Sequence, residues 1–235
     1  GIGFVGYIAV RVLGASRGMA LTGLLGGLVS STAVTLNFAG RVKSHPQLLS
    51  AAALGIVLGS AVMVPRVLVL VAVVAPGLLD AALIPIGIMG LVAVILGGGL
   101  FVLHRKSEDS SPEVELSNPF SLGQALKFGA VYIAVLLISG EALDTYGSGA
   151  LLLTAALAGL PSVDAITLSV AVLYNNGLES EQAVAALLVA CTANTFVKII
   201  LATTLGSWKL GLRVMGIFIP MIIAGAGALM FWGLS

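Results

Sequence analysis

Three charged residues, Arg66, Asp164 and Lys198, lie deep within apolar stretches of this sequence. A charged side chain near the centre of a bilayer costs about 3 kcal/mol or more, so all three are candidates for function. Asp164 could bind a cation or a proton and is the predicted metal ligand, while Lys198 and Arg66 could act as counter-charges or contact an anionic substrate. We expect Lys198 to be the partner of Asp164 and Arg66 to face a region without an acid. The alternative is a structural ion pair, with Arg66 snorkelling towards a polar surface.

Two polar interruptions break the apolar stretches, one from Gly26 to Thr32 and one from Gly159 to Asp164. Ser31 or Thr32 is predicted to cap the half-helix after the first interruption, and Ser162 the half-helix after the second. Free N–H groups at such a helix start bind anions, and free carbonyls at the preceding helix end bind cations. The predicted site residues are Ser30, Ser31, Thr32, Arg66, Ser162, Asp164, Asn194 and Lys198. Four other polar residues are expected to pack and cap only, namely Thr35, Asn37, Thr167 and Ser169.

The composition places these residues in a membrane. Of the 235 residues, 59% are apolar and 9% are charged, and the mean hydropathy is +1.14. A soluble domain carries charge on about a quarter of its residues. The net charge of +1 argues against nucleic acid as a partner. We therefore predict a multi-pass protein of the cell membrane, the inner membrane of a prokaryote, with lipid as a partner and a homo-oligomer left open.

Catalytic and cofactor motifs are missing from the sequence. It has no phosphate-binding glycine loop, no nucleophile elbow and no Cys/His cluster. We expect neither an enzyme nor a cofactor.

A shift of 132 residues aligns the two halves of the chain without a gap. It takes the run from Thr22 to Gly40 onto the run from Thr154 to Val172, and it takes Arg66 onto Lys198. Polar as well as apolar positions match, so we predict an internal repeat. The predicted parts are a first membrane repeat at 1–106, a polar linker at 107–118 and a second membrane repeat at 119–235.

The distribution of basic residues predicts the topology of these repeats, because Lys and Arg favour the cytoplasmic side. Basic residues flank segment 19–39 at both ends, which predicts that it enters and leaves the bilayer on one side. Segment 148–174 would dip likewise from the other side. The predicted fold is all-α, with two inverted repeats, each of three transmembrane helices plus one re-entrant helical hairpin. The alternative is eight full spans in parallel repeats, with broken helices at the interruptions.

Four separate runs carry a resemblance to a known family: Gly23 to Thr35, Asn118 to Leu122, Gly159 to Leu168 and Ala193 to Lys198. They resemble the C-terminal membrane domain in one branch of the MgtC/SapB family. The resemblance implies an N-terminal membrane domain of the same full-length chain, with a first helix that begins upstream of Gly1. It associates the family with magnesium by name and implies no defined activity.

Irregular backbone at membrane depth is tolerated where it is buried in protein or lines a cavity, and paired interruptions point to a transporter's site. We therefore predict a secondary transporter or facilitator of a small ion or solute, with a mid-bilayer site between the interruptions. A cation is slightly favoured, Mg²⁺ or another metal among the candidates, although Asp164 is the one carboxylate available at depth for Mg²⁺. The alternatives are a small-anion transporter and a non-transporting regulatory or lipid-binding module.

Overall fold

A computed structural model describes residues 18–104 and 147–232, together with positions 133, 137, 138 and 141. These residues form helices joined by short turns, and no strand occurs among them. In chain order the helices are α1 Gly18–Ser44, α2 Leu49–Ala61, α3 Met63–Val74, α4 Leu79–His104, α5 Ser148–Gly159, α6 Val163–Asn175, α7 Ser180–Leu201 and α8 Trp208–Trp232. The first apolar run at 2–14, the linker at 107–118 and most of the apolar segment at 121–140 lie outside the described residues.

Five stretches of the described chain are long and apolar enough to cross a membrane. They are Gly23–Ser44, Pro46–Val74, Pro76–Gly99, Ser180–Gly206 and Trp208–Phe231. Four of them coincide with apolar stretches that the sequence predicts as spans, at about 47–75, 78–103, 182–206 and 210–234, and Gly23–Ser44 contains the first interruption. Large apolar side chains such as Val73 and Phe231 are exposed on these helices, which suits a surface in contact with lipid rather than water. The prediction of an all-helical, multi-pass membrane class is confirmed at this level.

The described residues form two compact units, each drawn from both halves of the chain. The first unit contains residues 18–63, 90–104 and 197–221, and the second contains 64–89, 147–196 and 222–232. The 132-residue shift takes the pieces of the first unit onto the second: 18–63 falls on 150–195, 90–100 falls on 222–232, and 197–221 falls on 65–89. Each unit therefore contains one segment that comes from the other half of the sequence. The division into repeats at 1–106 and 119–235 stays a prediction.

Glycines bring the first arm of α1 against α2 within the first unit. A Cβ atom added to Gly23 would lie 2.6 Å from the Cα of Gly55, and one added to Gly27 would lie 2.6 Å from the Cα of Gly59. Such distances exclude any larger residue, as in close helix contacts between small residues four apart. The two contacts advance together along both helices, so the first arm of α1 and α2 run in the same direction.

The second arm of α1 runs the other way. Ser30 has an extended backbone (φ −163°, ψ 108°) that breaks α1. Beyond it the arm ends at Ser44, and the short 3-10 turn Pro46–Leu48 leads directly into α2. Val34 lies against Gly59, since a Cβ on that glycine would be 3.4 Å from the Val34 Cγ1. The second arm thus passes back along α2, antiparallel to it.

The second unit contains the equivalent helices α5, α6 and α7. α5 and α6 have 12 and 13 residues, about 18–20 Å each at 1.5 Å per residue, too short to cross a hydrocarbon core of about 30 Å alone. A Cβ on Gly159 would lie 2.7 Å from the Cα of Ala190, which places the end of α5 against α7. Between α6 and α7 the chain turns at Gly177, whose φ of 106° is a conformation that favours glycine.

Candidate functional site

An ion pair anchors the second interruption. The Arg66 Nε donates to the Asp164 Oδ1 at 2.9 Å, and the Arg66 Nη2 lies 2.8 Å from the Asp164 Oδ2. Both carboxylate oxygens are therefore engaged by one guanidinium, the two-point geometry in which arginine binds carboxylates most strongly. The arginine side chain is 12% exposed and the aspartate side chain 26%. The pair is partly shielded but still reachable from one side.

The start of α6 has a complete N-cap. Ser162 is extended (φ −161°, ψ 132°), and its Oγ accepts a hydrogen bond from the Asp164 backbone N–H at 3.3 Å. The prediction that Ser162 caps this half-helix is confirmed. Asp164 lies in the first turn of α6, where a negative charge is favoured by the helix dipole.

Asn194 caps the end of the preceding arm. Its Nδ2 donates to the Gly159 carbonyl at 3.0 Å and to the Leu160 carbonyl at 3.3 Å, and the residue is 3% exposed. These carbonyls belong to the last turn of α5, where a helix leaves acceptors without partners of its own. The sequence predicted only a polar lining role for Asn194. No local pattern indicates the observed contact, because the partners are 34 and 35 residues apart.

The first interruption differs in its cap from the sequence-based expectation. The Ser30 Oγ accepts a hydrogen bond from the Ala33 backbone N–H at 3.2 Å, so Ser30 is the cap of the second arm. The prediction of Ser31 or Thr32 as the cap is wrong by one or two residues. Ser31 instead lies within the arm, and its carbonyl accepts from the Thr35 hydroxyl at 2.9 Å. The break itself occurs where it was predicted.

Lys198 is fully buried and belongs to the first unit. Its Nζ lies 4.0 Å from the Met63 Sδ. The expectation that Lys198 is the partner of Asp164 is wrong, because Arg66 holds both carboxylate oxygens. The reason is that each unit contains a segment from the other half of the chain. Arg66, from the first half, lies in the unit of the second interruption, and Lys198, from the second half, lies in the unit of the first.

The eight predicted site residues divide equally between the units. Arg66, Ser162, Asp164 and Asn194 gather in the second unit, as the ion pair and both caps of the interruption. Ser30, Ser31, Thr32 and Lys198 belong to the first unit. As expected, three of the other hydroxyls, those of Thr35, Thr167 and Ser169, donate to carbonyls four residues earlier in their own helices.

Metal-binding side chains do not cluster in the described part of the chain. No group of three or more His, Cys, Asp or Glu residues comes together there. Both carboxylate oxygens of Asp164 already contact the Arg66 guanidinium. Its role as a metal ligand stays a prediction, which the ion pair does not favour, because a metal would have to displace a two-point contact.

Exposed charges collect at equivalent ends of the two units but with opposite sign. In the first unit the Arg213 Nη1 donates to the Ser50 Oγ, and Ser50 lies just after the turn that follows α1. This hydrogen bond brings the basic residues near the end of α1 and those near the start of α8 to one end of the unit. The four basic residues there are the half-buried Arg41 and the exposed Lys43, Lys209 and Arg213. In the second unit the Asn175 Nδ2 donates to the Val74 carbonyl at 2.9 Å and joins the equivalent turns. The exposed charges there are acidic: Asp80, Glu179 and Glu181.

Comparison with known proteins shows the family to which this chain belongs. A family model described as a domain of unknown function, DUF4010, matches residues 1–206. The chain belongs to the DUF4010 family. An uncharacterized protein from Aquifex aeolicus (strain VF5) is 31% identical over 194 residues, which cover 81% of this chain and 83% of the relative. No solved structure matches the chain. Neither comparison names the MgtC/SapB family, so that placement stays a prediction.

Proposed function

We propose that this DUF4010 chain transports a small ion across the membrane, with the polar groups at each interruption forming a binding site within its own unit. One observation carries the proposal: two helix breaks, both capped by a serine at equivalent positions, occur in a chain whose described part has five helices of membrane-spanning length, and the second break carries the Arg66–Asp164 ion pair. Such backbone is stable at membrane depth only where protein or a cavity satisfies it. Paired breaks in two repeats are the arrangement typical of secondary transporters.

The inverted topology is part of this proposal. The second arm of α1, which doubles back along α2, supports a re-entrant hairpin, because a hairpin returns to the side from which it entered, and the equivalent helices α5 and α6 are each too short to cross the bilayer alone. The charges at the unit ends support the inversion. Basic residues favour the cytoplasm and acidic ones contribute little. The basic end of the first unit would therefore face the cytoplasm, and the equivalent end of the second unit, with Asp80, Glu179 and Glu181, would face outwards.

The charge balance at the interruptions favours an anion over a cation. Asp164 is neutralised by Arg66 through two contacts, and the first unit contains a buried basic residue, Lys198. The carbonyls that end α5, which could bind a cation, already accept from the Asn194 amide. The amide groups in the first turns of the second arms attract anions. The slight preference for a cation that the sequence suggested is therefore replaced by a preference for an anion.

A flux assay in liposomes tests the proposal. The purified chain is reconstituted, and uptake is measured for chloride, nitrate, formate, acetate, sodium, potassium and magnesium under imposed gradients. We expect anion uptake by the wild type and loss of it in Asp164→Asn and Lys198→Ala. Asp80→Asn is the matched control, since Asp80 also lies in the first turn of a helix but is exposed at a unit end.

Each outcome of this assay has a meaning. If uptake persists in both Asp164→Asn and Lys198→Ala, the interruptions are not the site. Uptake of sodium, potassium or magnesium alone would restore the cation alternative. If no ion moves and none stabilises the protein in a thermal-shift screen in detergent, transport is refuted in favour of a regulatory or lipid-binding module. We propose no enzymatic activity.

A further inference from the structure

The second unit contains a carboxylate bound by a helix start and a basic side chain. Asp164 supplies this carboxylate from the first turn of α6, Ser162 caps the helix, and Arg66 holds both oxygens at 2.8 and 2.9 Å. A negative charge here is stabilised twice, by the guanidinium and by the positive end of the helix dipole. This unit binds its own carboxylate.

The first unit has residues equivalent to these three. The 132-residue shift relates Ser162 to Ser30, Arg66 to Lys198 and Asp164 to Thr32. The serine cap is kept with nearly the same backbone, since φ is −161° at Ser162 and −163° at Ser30. The cation is kept as well, because Lys198 belongs to the first unit just as Arg66 belongs to the second. The carboxylate is replaced by the hydroxyl of Thr32, and the capping amide of Asn194 is replaced by the apolar Val62.

We propose that the first unit binds the carboxylate group of a small monocarboxylate ion at the position equivalent to that of the Asp164 carboxylate. The ligand would accept hydrogen bonds from the Thr32 hydroxyl and from the first-turn amides of the second arm, and it would pair with the Lys198 ammonium. Lys198 has contacts of its own in the resting protein, the Met63 Sδ among them. The proposal requires only that its flexible side chain can reach the start of the arm.

The size and charge of the site favour this class of ligand. In the second unit the equivalent space holds a single carboxylate with a single negative charge. A multiply charged anion such as phosphate would bring more charge into a buried region than one ammonium can balance, at a high desolvation cost. The inference deepens the proposed function, on which it rests, because it names the substrate class at one of the two interruptions.

A substitution that supplies the missing carboxylate gives the sharpest test. Thr32→Asp should reproduce in the first unit the carboxylate of the second and exclude the ligand, whereas Thr32→Asn has nearly the same size and no charge. Binding is measured in detergent as the saturable thermal stabilisation of wild type and variants by acetate and formate, with phosphate and chloride as comparison ions. We expect acetate to stabilise the wild type. Its affinity should fall roughly tenfold or less in Thr32→Asn and about a hundredfold or more in Thr32→Asp, as expected for the loss of a hydrogen bond and for an added like charge.

A second pair of variants keeps the test decisive if Thr32→Asp does not fold. Lys198→Arg keeps the charge and imitates Arg66, so it should retain acetate binding, whereas Lys198→Gln should lose it. Wild-type acetate affinity in Thr32→Asp or in Lys198→Gln would overturn the assignment. So would a wild type that responds to phosphate or chloride but not to carboxylates.

Liposome uptake separates this inference from the proposed function. Transport of chloride or nitrate without carboxylate binding would leave the proposed function standing and refute the carboxylate site. Carboxylate binding that depends on Thr32 and Lys198, without uptake of any ion, would support the site and refute transport.

Discussion

Breaking the Arg66–Asp164 ion pair should destabilise the protein by an amount that can be worked from its geometry. Two unit charges about 4 Å apart attract by about 4 kcal/mol at an effective dielectric constant of about 20, and by about 1 kcal/mol in bulk water. The side chains are 12% and 26% exposed, so the pair lies between these limits. We expect a coupling free energy of about 2 kcal/mol between the two residues, well above that of a typical surface pair.

A double-mutant cycle measures this coupling. The free energy of unfolding is determined in mixed micelles for the wild type, Arg66→Gln, Asp164→Asn and the double variant. Each single change should cost about 2–3 kcal/mol, because it leaves a partly buried charge behind. The double variant should cost clearly less than the sum of the two single costs.

The matched control for this cycle is Asp80→Asn. It removes an exposed acidic residue from the first turn of α4 and should change stability by less than about 0.5 kcal/mol. A coupling free energy below about 0.5 kcal/mol would refute the reasoning, since it would mean that Asp164 is stabilised by the helix start alone.

Three further sets of substitutions test the contacts that hold the interruptions. Gly27→Val should destabilise the protein by about 1–3 kcal/mol in the same unfolding assay, because its side chain would collide with backbone, whereas Gly40→Ala, with open space around it, should be neutral or slightly stabilising. Asn194→Leu should cost about 1–3 kcal/mol and speed amide hydrogen exchange around the end of α5, and unchanged exchange would contradict its capping role. Ser162→Ala and Ser30→Ala should each cost about 1 kcal/mol by thermal unfolding, and a loss confined to one of them would argue against equivalent caps.

Local chemistry explains what could be predicted along the chain. Hydropathy alone gave the membrane class, because a chain with 9% charged residues cannot cover itself with a polar surface. The positions of both breaks were predicted because glycine, serine and proline act on the backbone at their own place in the chain. The residue that caps the second arm was not predicted, since Ser30, Ser31 and Thr32 are consecutive and each of them can cap a helix. Moving the cap from one of them to the next shifts the start of the helix by a single residue.

Long-range pairing was decided by tertiary structure. Arg66 and Lys198 occupy equivalent positions of the repeat, so the sequence offers both as partners of Asp164. Only the packing of residues 64–89 with 147–196 selects Arg66, across 98 residues of chain. The bond of Asn194 to the end of α5 has the same origin. Apolar patterns specify which residues avoid water, but in a lipid environment nearly every helix face satisfies that requirement, so the choice of neighbours falls to glycine contacts and a few polar pairs.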